Sequence, residues 1–300
     1  MVVILGPTAS GKSTLGITLA QRFNGEIVSA DSRQVYRGLD IGTAKVTPAE
    51  QALVPHHLLD IADPRDTYTV SQFQHAAITA INDIVARGRQ PFLVGGSPHY
   101  IQAVVDNLDI PQVPPQPELR AELEGRPLAD LLAQLEILDP QSAMTIDRKN
   151  PRRVLRALEV CLVTGKPFSA QRGMSRPLYR CLLLGIHWPR DILYNRIDTR
   201  IDERVEYGLV QEIQGLLAQG LTHERLEAMG LEYRFVSRWL RGDFASQAEM
   251  IQRLKYASHD FVRRQLTWFR KDQRIIWIEG GDTIVQNTET KVYNFLSKVD

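Results

Sequence analysis

The sequence predicts an α/β fold: a parallel sheet flanked by helices and interrupted by an all-helical insertion. Three observations predict it. Short apolar runs alternate with helical patterns, a glycine-rich turn joins the first run to the first helix, and a proline-rich stretch opens a segment whose periodicity is helical throughout. The length of 300 residues suggests about two domains on the usual scale of ~150 residues each.

Strands are expected at residues 2–5, 26–30, 91–94, 180–186 and 274–278, where apolar runs are short and bounded by turn residues. The first helix opens at Gly11-Lys12-Ser13 and carries Leu15, Leu19 and Phe23 at helical spacing. A second, over 70–87, sets Phe73, Ala77, Ile81 and Ile84 on one stripe and stops at Gly88. Residues 110–117 hold four prolines in eight positions, which excludes helix and central strand and marks a linker. Helices are then expected at 118–124 and 128–138. A third has Asn150 as cap, Pro151 at its first position and Gly165 as its end. Residues 172–177 read as the return linker, so the insertion spans 113–176 and the core 1–112 and 177–300. From 189 to 271 the chain is again mostly helical.

The composition, 43% hydrophobic and 24% charged, excludes disorder, collagen and coiled coil for the whole chain. The best uncharged apolar run, Cys181 to Trp188, is eight residues long, short of the ~18 that cross a bilayer. Residues 2–5 are too short for a secretory signal core, and two cysteines exclude a disulfide framework or an all-cysteine zinc site. No membrane partner is expected, and the chain reads as cytoplasmic. The net charge of +1 hides two basic clusters. Arg148, Lys149, Arg152, Arg153 and Arg156 fall within nine residues that contain no acid, and Arg263, Arg264, Arg270, Lys271 and Arg274 are interrupted by Asp272 alone. Either cluster, taken singly, is also the pattern of a solvated helix face.

Gly6-Pro7-Thr8-Ala9-Ser10-Gly11-Lys12-Ser13 matches the phosphate-binding pattern G-x-x-x-x-G-K-[ST], between a strand and a helix that continues through Thr14. Backbone N–H groups of such a loop and the helix N-terminus point at an anion, Lys adds a charge, and the Ser13 hydroxyl can hold Mg²⁺. The sheet is thus expected to be P-loop NTPase-like. Phosphoryl-transferring enzymes of this kind place a magnesium-binding Asp at the end of a buried strand. Here the best buried run, 92–94, ends in Gly95-Gly96-Ser97, with no carboxylate. An acid stands instead after the second strand, Asp31, where open α/β sheets bind ligands and where a carboxylate can take a proton from a nucleophile. A capping or magnesium-shell role for Asp31 also fits the residues. Ser97-Pro98 reads as a helix start facing the same crevice, whether structural or functional.

Together these residues resemble the tRNA dimethylallyltransferases, also called tRNA isopentenyltransferases. The matching stretches are the phosphate loop, Ser29-Ala30-Asp31-Ser32 with Val35-Tyr36, Gly38 to Lys45, His56-His57-Leu58 with Asp60, and Gly95-Gly96-Ser97 with Tyr100. Arg153 to Val160, Thr164 to Pro167, Arg196-Ile197-Asp198 with Arg200, Gly208-Leu209 and Arg264 to Arg270 follow in family order. The loop alone is widely shared, whereas the combination is specific. The resemblance implies transfer of a dimethylallyl group from dimethylallyl diphosphate to N6 of adenosine 37 beside the tRNA anticodon. It implies that the loop, residues Gly6 to Thr14, holds the diphosphate as a leaving group. Lys12, Arg200 and Mg²⁺ at Ser13 would stabilise its charge, and Asp31 would be the general base. Ser97 stands where the family has Thr and would orient the adenine or Asp31. The family's tRNA contacts map onto Asp31, Ser32, Arg33, Gln34, Ser97, Arg120, Arg152, Arg153, Val154, Leu155 and Arg156. They also map onto Arg263, Arg264, Gln265, Leu266, Thr267, Trp268, Phe269 and Arg270. The insertion would clamp the anticodon stem-loop, and the chain would act as a monomer.

The chain departs from the family at Pro98-His99, at Gly230 to Arg234 and in a short segment between Glu124 and Leu128, and no zinc finger follows residue 280, as in the bacterial form. Two alternatives stay open. A small-molecule P-loop kinase is favoured by the loop alone and opposed by the absent acid. An adenylate isopentenyltransferase would have no use for the basic insertion or for 264–270.

Overall fold

The computed structural model describes residues 1–298. In chain order the elements are β1 (Val2–Leu5), α1 (Lys12–Arg22), β2 (Gly25–Ser29), α2 (Pro48–Leu53), β3 (His56–His57), α3 (Val70–Ala86), β4 (Gln90–Gly95) and α4 (Pro98–Val105). There follow β5 (Leu108–Asp109), α5 (Pro117–Glu124), α6 (Leu128–Leu138), α7 (Pro140–Thr145), α8 (Pro151–Thr164) and β6 (Gly173–Met174). The chain continues with β7 (Leu182–His187), α9 (Arg190–Glu206), α10 (Leu209–Ala218), α11 (His223–Glu227) and α12 (Leu231–Leu240). It closes with α13 (Gln247–Phe269), β8 (Ile276–Glu279) and α14 (Ile284–Leu296).

Two compact units divide the chain, one formed by Met1–Ile101 with the residues from Tyr179 on, the other by Gln102–Leu178. The boundaries fall inside α4 and after Leu178, ahead of the expected start at 113 and past the expected end at 176, because the last residues of α4 and the β5–β6 ladder belong to the second unit.

The first unit is built on a six-stranded sheet in the order β3-β2-β4-β1-β7-β8, every pairing parallel. Val2 lies between Phe92 and Leu182, so β1 is central, and its uninterrupted apolar run reflects burial on both faces. The stripe predicted on α3 is fully buried: Phe73, Ala77, Ile81 and Ile84 are all at 0% exposure. Thr69 and Gln72 close a reciprocal capping box at its start. On the sheet, Leu15, Leu19, Phe92, Leu184, Ile278 and Val292 belong to one apolar cluster.

Glu26, at the start of β2, is buried, ion-paired with Arg87 and Arg89 and hydrogen-bonded to His57. The Arg87 bonds outweigh the opposing effect of burial and hold its carboxyl down at about 2.

The second unit packs α5, α6, α7 and α8 around Leu123, Leu131, Leu135, Val154, Leu155 and Leu158. Asn150 caps α8 by accepting from Arg153 N, Pro151 opens the helix, and Gly165 ends it in the left-handed region at φ 67°. The return linker expected at 172–177 instead forms β6, which pairs with β5 just ahead of the proline-rich 110–117 segment. Leu108 faces Met174 and Asp109 faces Gly173 in an antiparallel ladder, β5 with β6, which Ser175 reinforces through Asp109. The unit is therefore not purely helical. Elsewhere β1 matches expectation, β2 and β4 differ by one residue at each end, and β7 and β8 begin two residues later and end one residue later than expected.

Candidate functional site

Because β4 separates β1 from β2, the loops that follow these three strands lie side by side on the carboxyl edge of the sheet, where open parallel sheets bind ligands. The loop after β1 wraps through positive φ at Gly6, Ala9 and Gly11 before α1 begins at Lys12. Its outward carbonyls are held: Arg196 Nε donates to Ala9 O at 2.9 Å and Trp188 Nε1 to Ser10 O at 3.0 Å. Thr8 N donates to Gln265 Oε1 at 3.1 Å. Lys12 Nζ donates to Pro7 O at 2.6 Å. Burial, with the Arg200 guanidinium second, lowers the Lys12 ammonium from 10.5 to about 7, while Asp31 pulls the other way. Burial, and then Arg204, likewise brings Arg200 down to about 10.

After β2 the chain turns on Asp31. Its Oδ1 accepts from Arg33 N at 2.8 Å and Gln34 N at 3.4 Å. Ser97, at the end of β4, accepts from Ser32 N at 3.0 Å and reaches Ser32 Oγ at 3.3 Å. Its hydroxyl thus ties the β4 loop to the Asp31 turn, while its carbonyl accepts from Ile101 N as α4 begins. Gln34 accepts from Ser29 Oγ and donates to Thr43 O and Ala44 O. The 40–42 loop is gripped in turn by Glu212, whose carboxylate accepts from Asp40 N, Ile41 N and Gly42 N and from the Tyr233 hydroxyl. Gly42 is obligatory there, since a Cβ would lie 2.5 Å from the Tyr233 ring.

Two cavities meet at the loop. One, of about 360 Å³, reaches from Thr8, Lys12 and Ser13 to Asp31, Ser97 and Arg264. The other, of about 530 Å³, is lined by Ala9 to Thr14 and by Asn195, Arg196, Thr199 and Glu203 of α9. Lys12, Ser13 and Arg200 line both, so a group carrying several negative charges would be held between chambers by two cations and a hydroxyl. Among the described residues no three His, Cys, Asp or Glu side chains converge as a metal cage. The donor set fits Mg²⁺ all the same, because that ion binds through few protein oxygens, here Ser13, together with phosphate and water.

The structure brings Thr8 to Thr14, Asp31 to Gln34, Ser97, Arg200, Arg264 and Gln265 to these cavities, leaves Gly6 and Pro7 out of their lining, and treats the remaining sequence candidates unequally. On α13, Arg263 and Arg264 are exposed, Arg263 paired with Asp260 and Arg264 lying over Phe261; the following Arg270, which caps the helix, is exposed too. Thr267 is exposed, its hydroxyl bonded to Arg263 O. Trp268 is half-buried and meets the exposed His99 edge to face at 5.1 Å. Leu266 is half-buried, and Phe269 and Gln265 are buried. In the second unit Arg152 and Arg153 are exposed, while Val154 and Leu155 lie in its core. Arg120 and Arg156 both bind the fully buried Glu159, Arg120 through two bonds of 2.7 and 2.8 Å and Arg156 through one of 2.6 Å.

Residues that sequence reasoning missed are Glu212, Tyr233 and the Arg204–Glu232 pair, which lines the first cavity through both partners. The Gly230 to Arg234 departure was visible in the sequence, but the partner of Glu232 lies on another helix.

The family model described as IPP transferase matches residues 34–272. A tRNA dimethylallyltransferase of Roseiflexus sp. (strain RS-1) is 48% identical over 290 residues, covering 95% of each chain. The crystal structure of the full-length tRNA isopentenylpyrophosphate transferase from Bacillus halodurans is 38% identical, with a TM-score of 0.72 over 99% of this chain and 95% of that one. A eukaryotic dimethylallyltransferase acting on tRNA is 28% identical, with a TM-score of 0.83 over 99% of this chain and 79% of the other.

Proposed function

Because this chain belongs to the IPP transferase family, we propose that it moves the dimethylallyl group of dimethylallyl diphosphate to N6 of adenosine 37 in tRNA. One observation carries the reading: a phosphate loop with no carboxylate after β4, and an Asp one strand further along that lines the same cavity as Lys12 and Ser13. That is the layout for a departing diphosphate and a deprotonated nucleophile, with carbon between them.

In the reaction the N6 lone pair forms the C–N bond and the C–O bond breaks towards diphosphate. Lys12 and Arg200 meet the charge that develops on the leaving oxygens. Mg²⁺, held at Ser13, would add a Lewis-acid charge to the same oxygens. The N6 proton passes to Asp31, whose Oδ2 is the oxygen not engaged by Arg33 N and Gln34 N. Ser97 keeps the Asp31 turn in place through Ser32. A base reacting at its exocyclic amine must leave its stack, which suits a chamber rather than a shallow cleft.

For tRNA, the anticodon stem-loop is the region we assign. Arg264, Arg270, Arg152 and Arg153 are exposed cations suited to its backbone, and Trp268 offers an aromatic face for a splayed base. On this reading the chain acts on tRNA as a monomer in the cytoplasm; among the described residues no helix is long and apolar enough to cross a membrane.

Incubation with labelled dimethylallyl diphosphate and Mg²⁺, with tRNA or AMP as acceptor, tests the reading. Label is expected in tRNA alone. Label in AMP alone, or release of ADP from ATP in place of prenyl transfer, would overturn it.

A further inference from the structure

The Gln265 side chain belongs, by family resemblance, with the RNA contacts of its stretch, yet it is only 6% exposed and stands in the wall of the first cavity. Its carboxamide is used at both ends. Oε1 accepts from Thr8 N in the phosphate loop at 3.1 Å, and Nε2 donates to Gly96 O at 2.7 Å. An N–H can only donate and a carbonyl can only accept, so these partners fix which way the amide points. Gly96 sits where three groups converge: a Cβ there would lie 3.2 Å from Gln265 Nε2, 3.3 Å from Gly6 O and 3.5 Å from Lys12 Nζ.

On the reading of the site given above, we propose that Gln265 is a positioning residue for prenyl transfer and not an RNA contact. It sets the loop that grips the leaving diphosphate against the loop that steadies the base. The path is continuous: Thr8 N to Gln265, Gln265 to Gly96 O, one peptide on to Ser97, then Ser97 Oγ to Ser32 N beside Asp31. Drawing Thr8 N to a side chain also withholds that donor from the anion and fixes the shape of the loop. Of the unbranched side chains of that length, only the amide offers a donor and an acceptor on one flat group without taking up a proton. A buried amide with both ends satisfied holds its neighbours firmly, and its removal strands one backbone donor and one acceptor.

Gln265→Met keeps length and packing and removes both bonds; Gln265→Glu keeps the acceptor for Thr8 N and loses the donor to Gly96 O. We expect Gln265→Met to weaken inorganic pyrophosphate binding by ~10-fold, raise KM for dimethylallyl diphosphate similarly, and lower kcat by ~10- to 100-fold. The Kd for tRNA should stay within ~2-fold. Gln265→Glu should lower kcat comparably while leaving tRNA affinity alone. Wild-type kcat and pyrophosphate affinity in either variant would overturn the proposal. So would weakened tRNA binding with kcat intact, which makes Gln265 an RNA contact, or a parallel fall of every affinity with the melting temperature, which makes it a packing residue. The pyrophosphate titration needs no prenyl transfer. If the wild type fails to prenylate tRNA, the functional reading falls while that titration still judges Gln265.

Discussion

Replacing Lys12 by Arg separates two properties of that side chain, its positive charge and its capacity to lose it. With Nζ at about 7 in the free protein, roughly three quarters of the molecules carry the Lys12 charge at pH 6.5 and about 3% at pH 8.5. A bound diphosphate surrounds Nζ with negative oxygens and restores the ammonium, so binding at alkaline pH takes up a proton. Affinity therefore falls as pH rises, by ~25-fold from 6.5 to 8.5 when Nζ is fully protonated in the complex. A guanidinium does not titrate in this range, so Lys12→Arg lacks this component of the pH dependence. The assay is isothermal titration calorimetry with inorganic pyrophosphate at pH 8.5, repeated in buffers of different ionisation enthalpy. Protonation of the pyrophosphate itself cancels between the two proteins. The wild type should take up about one proton more than Lys12→Arg. Equal proton counts would refute the reasoning.

Three further outcomes follow from the same geometry. Asp31→Asn should lower turnover ~100-fold or more while tRNA affinity changes by ~2-fold or less, and equal losses in steady-state kinetics and filter binding would move Asp31 to a binding role. Arg153→Ala should reduce the salt dependence of tRNA binding by close to one phosphate contact, whereas Arg156→Ala should leave that slope unchanged and lower the melting temperature, because Arg156 is held by Glu159. The Glu26 carboxyl is depressed on folding, from 4.5 to about 2, chiefly by Arg87. The stability it contributes is thus complete above pH ~4.5 and disappears as pH falls towards 2. Urea unfolding should show wild type more stable than Arg87→Ala at pH 6, with the gap closing as pH falls through that window.

The sheet was legible because β1 and β4 are buried on both faces and so read as unbroken apolar runs, and α3 because its stripe is strictly periodic. The cap at Asn150 and the stop at Gly165 were legible because both requirements are local. The β5–β6 ladder was not, since two-residue strands carry no periodicity and their partner lies more than sixty residues away. The acid-free basic run from Arg148 to Arg156 concealed Glu159, one helical turn past Arg156, and with it the part that Arg120 and Arg156 play in the helical core. In the site, the chemistry-bearing Lys12, Ser13 and Asp31 stand in motifs, whereas Glu212 and Gln265 act through backbone atoms distant in sequence, and side-chain type alone does not reveal such partners.

The strand order has the character of a ruler. Neighbouring strands lie ~4.8 Å apart, so the anchor points of the phosphate loop and of the Asp31 turn are offset by two such steps, ~9–10 Å. An acid on β4 would stand one step from the phosphate loop, within reach of an ion bound there. Moving the acid one strand outward opens a gap wide enough for phosphorus, oxygen, the migrating carbon and an attacking nitrogen to stand in line. On the proposed reading, a shift of one carboxylate across a strand re-gauges a cradle for passing phosphate into one that passes carbon.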